Sequence, residues 1–270
     1  MSPDDFPLGS VWLVGAGPGD PELLTRKAER LLRAADIVFH DALIGTGVLA
    51  LIPLHVEQVS VGKRSGRHSK AQDTIDRLLV EAALAGKRVL RLKGGDPSIF
   101  GRSAEELSAL AEAGVPVRIC AGVTAASAAA ASAAISLTLR EDVRALTFVT
   151  AHAREGQHLD LDWATLASRR TGLAIYMGRA AADEIARNLI AAGLTPETPV
   201  VIANNASLPE ERIIRGRLDA LGFLVRAIAE REPVLLLVGA MAGLGRGSCL
   251  VAPSLGCAIS VPTYRDTIAI

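Results

Sequence analysis

The sequence has no excess of charge of either sign and very little cysteine. Its 270 residues carry 29 lysines and arginines against 29 aspartates and glutamates, so no overall field favours nucleic acid or an anionic membrane. An anionic substrate must therefore be bound by a local group of charges. The three cysteines, Cys120, Cys249 and Cys257, form no CxxC pair and no spacing typical of metal ligands, which predicts a reducing, cytoplasmic location and no bound metal.

Signals for export and for membrane insertion are also missing. The N-terminus, MSPDDFPLGS, lacks the basic and apolar regions of a signal peptide. Residues 121–139 are uncharged over 19 positions, a length that suggests a membrane span, but they are mostly alanine, serine and threonine. We therefore expect a closely packed helix of a soluble protein there, with neither membrane nor nucleic acid among the partners.

The hydrophobic pattern predicts an α/β fold. Apolar runs typical of strands occur at 11–14, 37–39, 56–61, 89–92 and 115–119, with helical spacing between them. This alternation predicts a mostly parallel sheet that is covered by helices on both faces. One helix is predicted to begin at Ser103, where Ser103 and Glu106 have the spacing of a capping box, and to stop at Gly114. Another is predicted to begin near Thr124.

The register of the pattern changes after residues 136–142. New apolar runs at 146–149, 173–176, 200–203, 212–214 and 234–238 predict a second α/β domain, in which the short run at 212–215 is suited to antiparallel pairing. The predicted organisation is an N-terminal domain of residues 1–137 and a C-terminal domain of residues 138–245, with an active-site cleft between them. Residues 246–270, rich in serine, glycine and proline, are predicted to form a tail of unknown order.

The stretch VWLVGAGPGDPELLT, residues 11–25, begins like a dinucleotide-binding loop. That fingerprint requires a third glycine where this sequence has Asp20, which is better placed to cap a helix beginning at Pro21. The carboxylates of Asp20 and Glu22 would repel a phosphate at the helix start, and Pro18 has no N–H to donate. The loop is therefore predicted to avoid phosphate. It serves either as a close backbone contact for an uncharged part of a ligand or as a simple tight turn.

Two further loops follow predicted strands and begin helices. In RLKGGDPSIFGRSAEE, residues 91–106, Gly94 and Gly95 allow a ligand to approach the backbone, and Asp96 suits either a ligand contact or a local turn. The third loop is AGVTAAS, residues 121–127. Because ligands of open α/β sheets gather at the carboxyl ends of strands, three such loops predict one shared binding site.

Seven segments in a fixed order resemble one known family, the tetrapyrrole methyltransferases. They are GAGPGDPELLT, DALI, VGKRSGRHS, LKGGDPSIFGRSAEE, GVTAAS, IYMG and NNAS, and the resemblance runs from about residue 11 to residue 239. It implies the two-domain tetrapyrrole methylase fold, a homodimer, and S-adenosylmethionine bound in the cleft. The implied reaction is methylation of two neighbouring pyrrole rings of uroporphyrinogen III, giving precorrin-2 for siroheme or cobalamin. A donor without a phosphate also suits a loop that avoids phosphate.

The resemblance further assigns roles to individual residues. It implies that Asp41 is the proton acceptor and Lys63 the proton donor, and each of them follows a predicted strand at the sheet's ligand edge. A carboxylate at residue 41 would either assist proton movement or stabilise transient positive charge during carbon methylation. The donor contacts implied by the family fall on Pro18, Gly94, Gly95, Asp96, Ile99, Thr124, Ala125, Met177 and Ala206. Without the flanking IYMG sequence, Met177 reads as a core-filling residue.

The segment GKRSGRHSK, residues 62–70, is the one dense run of positive charge. A charge run of this kind is usually a solvated loop. Uroporphyrinogen, however, carries a carboxylate on every acetate and propionate arm. We therefore expect Arg64 and Arg67 to bind these carboxylates through charge-assisted hydrogen bonds, with Lys63 nearer the reacting ring.

The residues leave three alternative functions open. His40, Ser98, Ala121 and Leu139 stand where the family more often has other residues, so a methylase acting on a later corrin intermediate is the main alternative. A nicotinamide-dependent oxidoreductase is disfavoured by Asp20. A non-catalytic protein built on the same fold would leave the basic segment and three glycine-rich loops without a role.

Overall fold

The first half of the chain folds around a five-stranded parallel sheet. The computed structural model describes residues 6–62, 72–151, 159–230 and 232–243. The strands are β1 (Val11–Gly15), β2 (Ile37–His40), β3 (Glu57–Ser60), β4 (Val89–Lys93) and β5 (Val117–Cys120). They lie in the order β3-β2-β4-β1-β5, and every neighbouring pair is parallel. The predicted parallel sheet is therefore found.

Helices cover both faces of this sheet, as the unbroken apolar strands predict. They are α1 (Arg26–Ala34), the short α2 (Thr46–Leu49), α3 (Gln72–Leu84) and α4 (Ser103–Glu112). Alternate residues of β1 face opposite sides, with Trp12 and Val14 packed in the cluster that includes α1. Val11 and Leu13 pack in the other cluster, which includes residues of α3 and α4.

The second half contains a mixed sheet. Its strands are β6 (Ala145–Thr150), β7 (Thr171–Tyr176), β8 (Pro199–Asn204), β9 (Arg212–Arg217) and β10 (Val234–Val238), in the order β6-β7-β10-β8-β9. Only β6 and β7 are parallel, and β10 pairs antiparallel with both of its neighbours. The antiparallel pairing predicted for 212–215 is confirmed, because β9 runs antiparallel to β8.

One helix joins the two sheets. The alanine-rich α5 (Ala125–Ser132) begins where the sequence predicts, with Thr124 as its cap accepting a hydrogen bond from the Ser127 amide. Ala126 and Ala129 are fully buried against residues of β8 and β10. Small side chains let this helix lie close to the second sheet. Among the residues that the structure describes, no helix is long and apolar enough to cross a membrane.

The remaining helices α6 (Trp163–Leu166), α7 (Ala182–Ala191) and α8 (Leu221–Arg226) belong to the second half, and α7 and α8 pack on the face of the sheet opposite α5. The first sheet ends at Cys120 and the second begins at Ala145. The predicted domain boundary between residues 137 and 138 falls in this interval and stays a prediction. The predicted tail, residues 246–270, lies outside the described residues.

The predicted capping box at the start of α4 is wrong, although the helix does begin at Ser103 and its end is followed by Gly114 with φ of 67°. Arg102 precedes the helix in a left-handed conformation and makes no side-chain cap. The Ser103 hydroxyl donates to the Pro97 carbonyl oxygen at 2.5 Å. Glu106 is fully buried and bonds two cationic side chains of β4, which compete successfully for its carboxylate.

Candidate active site

Three glycines bring the strand ends of β1, β4 and β5 into backbone contact. A Cβ atom on Gly15 would lie 2.6 Å from both the Gly122 Cα and the Gly95 carbonyl oxygen. On Gly122 it would lie 2.2 Å from that same oxygen. No side chain fits at either position without moving backbone, so the three loops form one compact edge. The predicted convergence of these loops is therefore found.

The first glycine-rich loop uses its N–H groups inside the protein. Ala16 donates to the Lys93 carbonyl oxygen at 2.8 Å, and Gly17 and Gly95 exchange backbone hydrogen bonds of 3.2 and 2.7 Å. The Asp20 amide donates to the Ser207 hydroxyl at 3.0 Å. These groups are not available as a cradle for phosphate, which agrees with the sequence prediction.

The helix start after this loop differs from the prediction in its position. Asp20 does act as a cap and accepts a 2.8 Å hydrogen bond from the Glu22 amide, but the element that it caps is only the 3-10 turn Pro21–Leu23. The main helix α1 begins at Arg26 and has its own cap, Thr25. Leu24 has an extended backbone conformation, so the 3-10 turn and α1 are separate elements.

A cavity of about 600 Å³ opens beside the glycine loops, with residues of both sheets in its wall. A Cβ atom on Gly94 or Gly95 would meet no atom within 4 Å, so the backbone there is open to the cavity. Every residue predicted as a donor contact borders this space, and so does Asp41: Pro18, Asp41, Gly94, Gly95, Asp96, Ile99, Thr124, Ala125, Met177 and Ala206. Lys63, Arg64 and Arg67 lie outside the described residues. The structure thus brings together all the predicted site residues that it describes.

Asp96 ties the second loop to the third. One carboxylate oxygen accepts a 2.9 Å hydrogen bond from the Gly122 amide, and the other accepts from the Ser98 amide at 2.8 Å and from the Ser98 hydroxyl. Burial alone would raise the pKa of Asp96, but these hydrogen bonds outweigh it and hold the pKa below its ordinary value. Of the two roles left open by the sequence, the local turn is observed, and contact with a ligand stays a prediction.

Tyr176, at the end of β7, connects the second sheet to the third loop. Its hydroxyl oxygen accepts a 3.2 Å hydrogen bond from the Ala126 amide in the first turn of α5. Its ring packs against Phe100 and Phe148 at centroid distances of 5.2 and 5.8 Å. Burial of the ring is the main reason that the pKa of Tyr176 is raised. This residue therefore holds two walls of the cavity together.

Several residues around the cavity have left-handed backbone conformations that are unfavourable outside glycine. They are Phe100, Arg102, Met177 and Asn205, with φ between 51° and 56°. Strain of this kind persists only where the surrounding structure enforces it, and it concentrates at functional sites. Met177 is also 47% exposed, so core filling does not explain this residue.

A buried ionic network lies under one wall and was not predicted from the sequence. Arg91 donates through Nε to Glu106 at 2.9 Å and through a terminal nitrogen to Asp41 at 2.6 Å, while Lys93 donates to the other Glu106 oxygen at 2.6 Å. Arg91, Lys93 and Glu106 are all buried, whereas the Asp41 side chain keeps 32% of its exposure. Asp41 is therefore the member of the network that reaches the cavity most openly.

The charges of this network balance, because two cations face two carboxylates. Burial, and then the charge of Arg91, lower the pKa of Lys93. Burial alone would also lower the pKa of Arg91, but Asp41 and Glu106 outweigh it and raise that pKa. One feature of the sequence does indicate this network. Arg91 and Lys93 are two residues apart in an otherwise apolar strand, so both lie on one face, where buried cations require buried partners of opposite charge.

The described residues on either side of residues 63–71 are Gly62 and Gln72. Gly62 lies against the backbone of Asp41 and Ala42, since a Cβ atom there would be 2.0 Å from the Ala42 nitrogen. Gln72, the first residue of α3, borders the cavity. The two described residues that flank this segment therefore lie against Asp41 and at the cavity, respectively.

Comparisons with known proteins agree with this geometry. The family model described as tetrapyrrole (corrin/porphyrin) methylases matches residues 10–222. A uroporphyrinogen-III C-methyltransferase of Paracoccus denitrificans is 46% identical over 243 residues, which cover 90% of this chain and 85% of that protein. A siroheme synthase of Gluconacetobacter diazotrophicus is also 46% identical, over 86% of this chain but 49% of its own length. This chain thus spans about half the length of such siroheme synthases.

Solved structures of tetrapyrrole methyltransferases are also similar to this chain. A cobalt precorrin-4 methyltransferase of cobalamin biosynthesis superimposes with a TM-score of 0.78 at 27% identity, over 87% of this chain and 97% of that one. A uroporphyrin-III C-methyltransferase from Thermus thermophilus, complexed with S-adenyl homocysteine, gives a TM-score of 0.72 at 38% identity, over 85% of this chain and 92% of that one. The two-sheet architecture is that of these enzymes.

Proposed function

The chain belongs to the tetrapyrrole methylase family, and we propose from this membership that it transfers methyl groups from S-adenosylmethionine to carbon atoms of uroporphyrinogen III. Methylation of two neighbouring pyrrole rings gives precorrin-2, the precursor of siroheme and cobalamin. The observation that carries the proposal is the single cavity in which the described donor-contact positions and Asp41 meet. The similarity to the Paracoccus denitrificans enzyme supports the choice of substrate.

The cavity fits the methyl donor in size and in chemistry. Its volume of about 600 Å³ lies within the range of roughly 300–1,000 Å³ that is usual for small-molecule sites. The open backbone at Gly94 and Gly95 offers close approach to a flat ligand, and the first loop offers no phosphate cradle. The donor supplies an electrophilic methyl group on a sulfonium centre. The protein must hold the electron-rich pyrrole in line with that methyl group and exclude water.

Asp41 is proposed to act at the reacting ring. Its carboxylate is part of the cavity wall and is anchored to Arg91 at 2.6 Å, so it can receive a proton from the ring or stabilise positive charge on it. Lys63 is proposed as the proton donor. Arg64 and Arg67 are proposed to bind the substrate's carboxylate arms. The position of Gly62 against Asp41 and of Gln72 at the cavity supports both assignments.

The assembly and location of the enzyme are part of the same proposal. We propose a homodimer in the cytoplasm, organised as two domains that divide near residue 138. The three scattered cysteines support the reducing location. The division is supported by the two separate sheets, which end at Cys120 and begin again at Ala145.

One alternative substrate is supported by a specific observation. The cobalt precorrin-4 methyltransferase superimposes with a TM-score of 0.78, so the fold also accommodates a later corrin intermediate. The 46% identity to the Paracoccus denitrificans enzyme favours uroporphyrinogen III. A nicotinamide-dependent oxidoreductase is disfavoured, because the loop amides are occupied and Asp20 stands at the turn where a pyrophosphate would bind.

The test is incubation with labelled S-adenosylmethionine and uroporphyrinogen III, followed by mass analysis of the tetrapyrrole. We expect a product that carries two added methyl groups. A parallel reaction with a later corrin intermediate separates the alternative. If neither tetrapyrrole gains label while the protein binds S-adenosylhomocysteine, the proposed reaction is wrong.

A further inference from the structure

We propose that Arg91 is a positioning residue, which fixes the Asp41 carboxylate by one oxygen and leaves its second oxygen for the tetrapyrrole. This inference rests on the proposed function, because it assigns a role to the support of Asp41 in the same reaction. In this proposal Arg91 itself contacts neither the methyl group of the donor nor the pyrrole carbon that receives it. Its effect on catalysis passes through Asp41.

The guanidinium of Arg91 is held by three hydrogen bonds. Nε donates to Glu106, one terminal nitrogen donates to the Leu92 carbonyl oxygen at 3.1 Å, and the other donates to Asp41 Oδ1. All three nitrogens are thus bonded, in a side chain that keeps only 4% of its exposure. A planar guanidinium held by Glu106 and by the Leu92 carbonyl directs its remaining nitrogen at the Asp41 oxygen, which a lysine ammonium cannot do in the same way.

Asp41 is held at one oxygen only. Among the residues that the structure describes, Arg91 is the only hydrogen-bond partner of its carboxylate, through Oδ1. The side chain is 32% exposed and borders the cavity. Oδ2 has no hydrogen-bond partner within the described part of the chain, so it is the oxygen that we assign to the substrate.

The deeper part of the network explains why the anchor itself is rigid. Glu106 is fully buried on α4 and binds Arg91 with one oxygen and Lys93 with the other. Because Lys93 alone can neutralise Glu106, the network has one more cation than its buried interior requires. The carboxylate of Asp41 balances that cation at the cavity wall, so a helix, a central strand and the loop after β2 are coupled at this point.

The test uses Arg91→Lys, which keeps the charge but not the three-point geometry, alone and combined with Asp41→Asn. We measure kcat and KM for methylation of uroporphyrinogen III, the dissociation constant of S-adenosylhomocysteine, and thermal unfolding. Arg33→Lys serves as the matched control, since Arg33 pairs with Glu29 at the surface and is 64% exposed. Arg91→Met is the second variant in case the lysine variant does not fold, because Lys93 still neutralises Glu106 there.

In Arg91→Lys we expect kcat to fall by roughly tenfold to a hundredfold, as for a catalytic group displaced by about 1 Å, with KM and donor affinity nearly unchanged. In the Asp41→Asn background the same change should alter kcat by less than about twofold, because residues that act as one unit are not additive. A purely structural arginine would give the same loss in both backgrounds.

Three results would overturn the positioning role. They are full activity of a folded Arg91→Lys variant, equal losses with and without Asp41→Asn, and loss of S-adenosylhomocysteine binding in both folded Arg91 variants, which would mean that the network supports the donor loops instead. Absence of methyl transfer by the wild-type protein refutes the proposed function, and this role with it. Variant results obtained with an active wild type bear on Arg91 alone.

Discussion

Adding one methyl group to Gly94 should separate donor binding from folding. Gly94 follows β4 directly and borders the cavity, and a Cβ atom there would meet no atom within 4 Å. Its φ is not in the left-handed region, so alanine adopts the same backbone without strain. The expected change in folding stability is zero to slightly favourable, about 0.4–1 kcal/mol, because alanine restricts the unfolded chain.

The same methyl group should interfere with the donor. It enters the space that the bound S-adenosylhomocysteine is proposed to fill, and overpacking a fitted site costs about 1–3 kcal/mol. That range corresponds to a dissociation constant raised by roughly fivefold to more than a hundredfold. Calorimetric titration with S-adenosylhomocysteine, beside a thermal unfolding curve of the same preparation, measures both quantities.

Gly122→Ala is the contrasting variant. Here the Cβ atom would lie 2.2 Å from the Gly95 oxygen and 2.8 Å from the Gly15 Cα, so backbone must move. We expect a loss of folding stability of about 1–3 kcal/mol and a fall in Tm of several degrees, with weaker donor binding as a consequence. Wild-type donor affinity in Gly94→Ala refutes the assignment of the open backbone to the donor. An unchanged Tm in Gly122→Ala refutes the close contact of the three loops.

Four further predictions test the rest of the site. Asp41→Asn should keep the wild-type dissociation constant for S-adenosylhomocysteine and lose about 10²-fold or more in single-turnover methyl transfer, since the change removes basicity and keeps size; wild-type rates would reduce Asp41 to a structural residue. Tyr176→Phe should lower the free energy of unfolding by about 0.5–1.5 kcal/mol through the lost hydrogen bond to α5, and should weaken donor binding in the same titration. Because the pKa of Asp96 is lowered on folding, its stabilising contribution is complete above the ordinary aspartate pKa and is lost as the pH falls through the lowered value. The difference in unfolding free energy between wild type and Asp96→Asn should therefore shrink on acidification, and a constant difference would contradict this. Arg64→Ala or Arg67→Ala should raise KM for uroporphyrinogen III and reduce its salt dependence, with donor affinity unchanged, and an unaltered KM in both variants would mean that the basic segment is a solvated loop.

Strand periodicity allowed the first half of the fold to be predicted from the sequence. Strand β1 is apolar on both faces, which is the pattern of a strand in a parallel sheet between two layers of helices. The second sheet is different, because β10 is equally apolar and yet pairs antiparallel with both neighbours. The direction of a strand depends on how the connections cross the sheet. The hydrophobicity of its residues does not indicate whether it pairs parallel or antiparallel.

Hydrogen bonding explains where local sequence signals failed. Ser103 and Glu106 have the spacing of a capping box, but the buried Arg91 and Lys93 bind the glutamate more strongly than a helix amide would. Asp20 has the features of a helix cap but caps only the 3-10 turn Pro21–Leu23. The main helix α1 is capped by Thr25, whose side chain accepts a hydrogen bond from the Ala28 amide. Capping motifs predict that a helix starts nearby, whereas long-range partners decide what each side chain bonds.

The segment from Arg91 to Glu106 contains both the glycines that open the backbone to the cavity and three members of the buried ionic network. The role of Gly94 and Gly95 is predictable from the sequence, because a pair of glycines at the end of a strand indicates open backbone at the ligand edge of the sheet. Arg91, Lys93 and Glu106 were not recognised, since cations in a strand and a glutamate in a helix normally indicate exposed faces. Their burial follows from the central position of β4 between β1 and β2 together with the helices that cover the faces of the sheet. In a chain without net charge, these ion pairs place local charge beside the glycines at the cavity. A substitution in the glycines should therefore change donor affinity, and one in Arg91 or Asp41 should change the rate of methyl transfer.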